Sequence, residues 1–360
     1  MKVCVVGTGN TGSAHAAILS RAGHEVTALK TTRADMEHFE ALERCGGLTL
    51  RDRDGSEAFV PIARVTRDPA EALRDPIDVL LVLQQTSGLE QTAKLVGSAL
   101  RRAELTIVAP GYLGSVYFRR ELGDRSPIVA EGESPAYDAR IDEPGVVRVC
   151  FKNVRNALGF ISPDKTETGL KIAGRLIDTY RYRRANVVDA ALHNPNLVLH
   201  TLGCVTSASR IEYSRGEFWM YREGFTPSVW RALERLDEER RAVVAAYGGA
   251  PTRYLEDCVF RNAVDRHADP SATFESYAQS GGPKGPATLE TRYLTEDVPV
   301  GLGLLRSLGA ARGIPTPVAD AVTMLTGALL PKEIMSPLRT LESLGLGDAS
   351  DDALKKLGIL

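Results

Sequence analysis

A doubly wound α/β domain followed by a mainly α-helical one is the fold the sequence predicts, on three observations. The first is length: 360 residues exceed what one hydrophobic core usually serves, so two domains are expected. The second is the alternation of short apolar runs with amphipathic stretches through the first half, which favours a parallel sheet with crossover helices. The third is the near disappearance of strand signals from Val187 onward, where helical periodicity takes over.

In chain order, residues 2–7 (KVCVVG) read as a buried strand, 11–22 as a helix and 24–30 (HEVTALK) as a second strand, an opening βαβ unit. Further strands are expected at 77–83, 105–109 and 128–130, with a helix at 88–101 between the first two. The apolar runs 146–152 and 157–161, split by Asn153-Val154-Arg155-Asn156, suggest a closing antiparallel pair, and 165–180 one more helix. The first domain is expected over 1–185. The second, 186–360, should carry helices at 187–214, 228–247, 300–312 and 316–330, with the Ser280–Pro286 patch as a loop. The apolar stripe of 228–247 packs either internally or between subunits, and a homodimer is expected from the second alternative.

Hydrophobic residues at 43% and charged residues at 25% are ordinary for a globular chain, and a net charge of −2 gives no electrostatic argument for nucleic acid or an anionic membrane. Small-molecule substrates are the expected partners. Cys4, Cys45, Cys150, Cys204 and Cys258 are odd in number, scattered and never spaced C-x-x-C. That argues against a disulfide framework and a thiolate metal site, and for reduced thiols in the cytoplasm, with no metal. Met1-Lys2 runs straight into the first strand, and no apolar run approaches the roughly 20 residues of a membrane helix, so neither export nor anchoring is expected.

Gly7-Thr8-Gly9-Asn10-Thr11-Gly12 fits G-x-G-x-x-G between a strand and a helix, the Rossmann-type context in which that pattern binds a dinucleotide. The glycines serve a tight turn, close approach to a pyrophosphate and helix-on-strand packing, and the pyrophosphate sits on the N–H groups of the helix start. After the second strand, the acidic residue that usually holds the ribose of NAD is missing; Lys30, Thr31 and Arg33 stand there instead. Two cations and a hydroxyl suit a 2′-phosphate, so NADP(H) is expected over NAD(H). The alternative is that Arg33 only caps the next helix and both cofactors are accepted. Gln84-Gln85-Thr86-Ser87 and Pro110-Gly111 follow strands at the end where such sheets bind ligands, with Gln84 the expected cofactor contact, although either segment reads equally well as a turn.

Asn196 and His200 share one helix face, and His193 lies two turns before His200 among Leu192, Leu197, Val198 and Leu199. A polar stripe on an apolar helix is either satisfied structurally or functional. Downstream, Arg292-Tyr293-Leu294-Thr295-Glu296-Asp297-Val298-Pro299 gathers one cation and two carboxylates.

With these pieces the chain resembles the octopine/nopaline (opine) dehydrogenase family along nearly its whole length. The resemblance rests on the glycine fingerprint, the N-x-x-x-H helix, the R-Y-L-T-E-D-V-P run, Gly313-Ile314-Pro315-Thr316-Pro317, and Tyr137-Asp138-Ala139-Arg140 after Glu131 and Pro135. It implies reductive condensation of an amino acid's amine with a 2-oxo acid at the expense of NAD(P)H, in a Rossmann domain followed by a helical catalytic domain. It further implies His200 as acid/base, Asp297 as its orienting partner, Arg292 as clamp on a substrate carboxylate, and Asn196 positioning substrate or nicotinamide. Imidazole titrates near neutrality and suits proton traffic at an imine-forming carbon, and a guanidinium fork holds a carboxylate as no lysine can.

Glu296 competes with Asp297 for the partner role. Thr201 and Val300 depart from the family pattern, where proline and an aromatic residue are frequent. His193, Tyr137 and Arg140 are candidate substrate contacts; His193 reads more readily as a satisfied structural histidine, Tyr137 and Arg140 equally as ties between domains, and packing or solvent accounts for His15. Two other functions stay open: a hydroxy-acid dehydrogenase needing no amine, and a non-catalytic dinucleotide sensor.

Overall fold

The computed structural model describes residues 1–280, 282–347 and 350–360 and divides the chain into two compact units, Met1–Arg183 and Arg184–Leu360. Gly281 of the expected 280–286 loop lies outside the described residues.

The first unit is built on strands β1 (Lys2–Val6), β2 (Glu25–Leu29), β3 (Gly47–Arg51), β4 (Glu57–Pro61), β5 (Arg64–Thr66), β6 (Ile77–Val82), β7 (Ala103–Val108), β8 (Ile128–Gly132), β9 (Tyr137–Glu143), β10 (Val146–Lys152), β11 (Ala157–Ile161) and β12 (Tyr182–Arg183). Eight form one sheet in the order β12-β11-β8-β7-β6-β1-β2-β5, parallel except where β11 runs against β8. Its central strands are apolar and buried almost throughout, as a sheet covered on both faces requires. The helix Asn10–Arg21 packs on it through small residues, Ala14, Ala16 and Ala17, which keep that helix close to the strands.

A second, four-stranded sheet runs β4-β3-β10-β9. It overturns the expected pairing of 146–152 with 157–161: β10 pairs with β9 and β3, and β11 with β8. The reason lies in the two burial patterns. Along Val146–Lys152 buried residues alternate with half-buried or exposed ones, whereas Ala157–Ile161 is buried at every position, so the first suits a sheet with one wet face and the second a covered one. The intervening asparagines are not a hairpin turn. Asn156 Nδ2 donates to Ser134 Oγ at 2.7 Å and Asn153 Nδ2 to the Pro135 carbonyl at 3.0 Å, tying the crossing to the segment after β8.

In the second unit the expected 187–214 helix is three: Val187–Leu192, Asn196–Thr206 and Ala208–Ser214. Pro195, which has no N–H to continue a ladder, restarts the chain at the second of these. Pro227–Ala246 buries Leu233, Leu236, Val243 and Val244 and packs on Asn196–Thr206 and on Pro317–Leu329, so its apolar stripe is used inside the unit. Gly303–Ala311 follows a π-helical turn, Asp297–Leu302. Among the described residues no helix is long and apolar enough to cross a membrane.

Candidate active site

In the first unit, β1 leads into Gly7, whose φ of 110° is open only to glycine at little cost. A Cβ there would stand 2.2 Å from the Leu83 carbonyl oxygen, and one at Gly12 would stand 1.9 Å from that of Gly7. Gly9 differs: its added Cβ would meet nothing nearer than Asp35 Oδ2 at 4.0 Å. Two glycines are thus demanded by packing and the middle one leaves room for a ligand, which is the cradle a pyrophosphate needs. Gly9 also caps the helix Asn10–Arg21 without any side-chain bond to the first N–H groups.

The other expected cofactor residues fall around this turn. Lys30 is almost fully buried, with Nζ 3.5 Å from Thr8 Oγ1, so its ammonium lies beside the glycine turn; burial lowers its pKa. Thr31 Oγ1 donates to Gln84 Oε1 at 3.0 Å, and Gln84 Nε2 donates to Thr92 at 2.8 Å, a bridge between the ends of β2 and β6. Asn10 Oδ1 accepts from the Ile141 N–H at 2.7 Å, which ties the helix start to β9, and the Thr11 carbonyl is bonded by His15 Nδ1. Arg33 is exposed. Two charged residues near Lys30 escaped the sequence reading. Arg67, exposed just past β5, acts on it because β5 lies beside β2; Asp35, in the left-handed region at φ 52°, acts on it with the opposite sign. Neither was legible, since β5 was not predicted and Asp35 lies past the position where an acidic residue was sought.

The turn at Pro110-Gly111 wraps a buried carboxylate. Glu131 accepts from the Leu113 N–H at 2.8 Å and the Ser115 hydroxyl at 2.7 Å, and a Cβ on Gly111 would collide with it. Tyr137 packs edge-on against His15, with Lys152 Nζ 5.8 Å from its ring, and Arg140 donates to the adjacent Ala139 carbonyl.

In the second unit the polar stripe separates into two environments. His193 Nδ1 is 2.7 Å from the Asp189 carbonyl and 2.8 Å from its carboxylate, and Nε2 is 3.3 Å from Asp257 Oδ2, itself paired with Arg184 at 2.9 Å. His193 thus sits among buried carboxylates, Nδ1 bonded to the Asp189 carbonyl while Nε2, though near Asp257, completes no hydrogen bond with it. His200, 3% exposed, is placed otherwise. Its Nδ1 lies 2.7 Å from Asp297 Oδ2, its ring stacks on Tyr293 at 3.6 Å between centroids, and its Nε2 lies 3.0 Å from the Tyr221 hydroxyl. Of the two candidate carboxylates, Asp297 is the one bonded to Nδ1 of the imidazole. Asn196 opens the same helix, half-buried, its N–H bonded to Asn194 Oδ1 at 3.1 Å.

Local sequence explains how these groups converge. Thr201 turns its hydroxyl back to the Leu197 carbonyl at 2.6 Å, so a polar residue sits inside the buried helix at no cost in unpaired groups. Gly203, one turn past His200, lets Met220 approach: its added Cβ would be 3.0 Å from Met220 Sδ. Asp297 and Tyr221 each lie on a π-helical turn, Asp297–Leu302 and Met220–Gly224. Such turns are rare and recur at functional sites. Tyr221 was missed by the sequence reading; the dense aromatic run Phe218-Trp219-Met220-Tyr221 was the available signal.

Arg292 opens the short helix before Asp297 and keeps an exposed surface although protein crowds its guanidinium. That crowding pulls its pKa down, but the Asp297 and Glu296 carboxylates, with Tyr293 and Tyr221, outweigh it and raise the value, so the cation is secure. Burial, reinforced by the Asp297 charge, holds the Cys204 thiol protonated. The unit thus presents a cation suited to a carboxylate beside a buried imidazole–carboxylate pair.

Comparison with known proteins identifies the family. Residues 183–330 match the model of the NAD/NADP octopine/nopaline dehydrogenase α-helical domain, and residues 3–110 that of ketopantoate reductase PanE/ApbA. Opine dehydrogenase of Arthrobacter sp. (strain 1C) is 31% identical over 353 residues, covering 95% of this chain and 94% of that one. Vitopine synthase of Allorhizobium ampelinum is 26% identical, covering 97% and 96%. An octopine dehydrogenase structure aligns with a TM-score of 0.71 at 20% identity, covering 97% of this chain and 98% of that one. The chain belongs to the opine dehydrogenase family of NAD(P)-dependent oxidoreductases.

Proposed function

We propose that this chain condenses the amine of an amino acid with a 2-oxo acid of the pyruvate or 2-oxoglutarate type to give a secondary-amine dicarboxylate, with NADP(H) as preferred cofactor. The observation that carries the reading is the buried 2.7 Å contact of His200 with Asp297, next to the cationic Arg292. Arg292 holds the oxo acid's carboxylate in its fork of N–H donors. His200 serves as acid and base as the carbonyl oxygen leaves as water, and Asp297 fixes the imidazole's tautomer and stabilises its cation. Asn196, one turn earlier on the same helix face, orients substrate or nicotinamide. When bound, the nicotinamide supplies the hydride. Support for an amine and an oxo acid as partners comes from octopine dehydrogenase, described with NADH and L-arginine, with NADH and pyruvate, and with NADH and agmatine.

Lys30, Thr31 and Arg33, joined by Arg67, favour a 2′-phosphate, and yersinopine dehydrogenase is described with NADP+. Asp35 supports a second reading, NADH, because a carboxylate beside Gly9 accepts from ribose hydroxyls and repels a phosphate. Comparing kcat/KM for NADPH and NADH decides between them. The activity is tested with a panel of amino acids and 2-oxo acids. Cofactor oxidation is expected only with both partners present; oxidation by an oxo acid alone indicates a hydroxy-acid dehydrogenase, and cofactor binding without turnover a dinucleotide sensor.

A further inference from the structure

His200 Nδ1 is committed to Asp297, one ring face is covered by Tyr293, and Nε2, the nitrogen that has to exchange a proton with substrate, lies 3.0 Å from the Tyr221 hydroxyl. With Nδ1–H donating to Asp297, neutral His200 accepts at Nε2, so the phenol O–H points at it. The Tyr221 ring is held in place by an edge contact with Tyr277 at 5.4 Å and by Gly282, whose added Cβ would be 3.0 Å from Tyr221 Cβ. Its own turn is pinned at both ends: the Met220 N–H donates to the Gly285 carbonyl at 3.2 Å and the Trp219 N–H to Glu223 Oε1 at 2.9 Å. Titratable groups around Tyr221 include His200, which its hydroxyl meets, with Asp297 behind it; Arg292, whose pKa Tyr221 and Tyr293 help to raise; and Tyr277, whose ring packs on its own. A phenol that meets the imidazole and shares the field of the Arg292 cation is a proton carrier set beside both groups.

The geometry points to Tyr221 as the catalytic residue that passes the proton between His200 and substrate, making the device an Asp297–His200–Tyr221 relay. The inference rests on the condensation reading above. In the forward direction, imidazolium Nε2–H gives its proton to the phenol oxygen as the phenol gives its own to the hydroxyl of the amine–oxo acid adduct. The C–O bond breaks, its electron pair leaves with the oxygen as water, and the nitrogen lone pair forms the C=N bond. His200 ends neutral and Tyr221 ends as phenol, so the protons balance. Hydration of the iminium in reverse runs the same transfers backwards.

The test takes an amine and oxo acid pair that the wild-type protein turns over; absence of any such pair would refute the condensation reading itself, so the two failures are distinguishable. Tyr221→Phe keeps the ring packing and removes the hydroxyl. It is expected to lower kcat about 100- to 1,000-fold, the range of lost general acid catalysis, with KM for the oxo acid and cofactor affinity within about threefold of wild type. Replacing Tyr221 by a fluorinated tyrosine keeps a hydroxyl at the same place and is expected to hold kcat within about tenfold of wild type. A fluorinated protein as slow as Tyr221→Phe, or a Tyr221→Phe variant with kcat within tenfold of wild type, overturns the relay and leaves Tyr221 as support for the His200 ring.

Discussion

Asp297→Asn exposes the reasoning about the imidazole most directly. The amide keeps the shape of the carboxylate and its oxygen still accepts from Nδ1–H, so the fold and the ring's place should survive. What goes is the charge that stabilises His200 when it becomes a cation. Both side chains are 3% exposed and 2.7 Å apart at their nearest atoms, so water screens the pair little. With charge centres about 4 Å apart and an effective dielectric of about 20, the attraction is about 4 kcal/mol, and each 1.36 kcal/mol is tenfold in rate. The expected loss in kcat is therefore about 1,000-fold, with cofactor affinity unchanged because the glycine turn is untouched. Steady-state kinetics on an active substrate pair, with cofactor titration by fluorescence, reads both quantities. Glu296→Gln serves as control: Asp297 is the carboxylate bonded to Nδ1, so the loss of kcat from Glu296→Gln should be far smaller. A kcat for Asp297→Asn within tenfold of wild type, with the fold intact, would remove the ion pair from the mechanism.

The remaining expectations concern the clamp, the cofactor turn and acid stability. Arg292→Lys keeps the charge but loses the planar fork, and KM for the oxo acid should rise about 10- to 100-fold with the KM of the amine partner little changed, since a charge-assisted hydrogen bond is worth about 1.5–3 kcal/mol. Equal losses for both substrates would argue against a dedicated clamp. Gly9→Ala should leave thermal stability near wild type, because its Cβ meets nothing closer than 4.0 Å, yet weaken dinucleotide binding at least about tenfold; Gly12→Ala, whose Cβ would stand 1.9 Å from Gly7 oxygen, should cost about 1–3 kcal/mol of stability as overpacking does. His15 is held neutral in the fold, its pKa lowered by burial to about 4 despite the bond to the Thr11 carbonyl. Its unfolded value is about 6.5, so above that pH neither state binds a proton there, and below it only the unfolded chain does, down to about pH 4. Stability should therefore fall by about 3 kcal/mol as pH drops across that window, and denaturant unfolding of His15→Gln should show a decline shallower by that amount.

Much of the architecture was readable because its signals are local. Buried parallel strands are unbroken apolar runs, which is why β1, β6 and β7 could be placed from sequence, and G-x-G-x-x-G declares its task through its position between a strand and a helix. The second sheet was hidden because its strands are half wet: β9, Tyr-Asp-Ala-Arg-Ile-Asp-Glu, carries four charged side chains among seven residues and looks like a loop. Its partner β10 was recognised as a strand but assigned to the wrong neighbour, since pairing across a sheet boundary leaves no mark in either segment alone.

For the site, sequence determined which groups were available: an imidazole one turn past an asparagine, and an arginine and two carboxylates nearly a hundred residues later. Helical spacing could put His193 and His200 on one face but could not tell them apart. Tertiary structure did so by surrounding one with Asp189 and Asp257 and the other with Asp297, Tyr293 and Tyr221. The choice between Asp297 and Glu296 was likewise closed to periodicity, because the residues follow one another just where the short helix gives way to a π-helical turn. A π turn changes the angular step of the chain, so which neighbour faces the imidazole depends on packing against the Asn196–Thr206 helix, and only the folded unit fixes that.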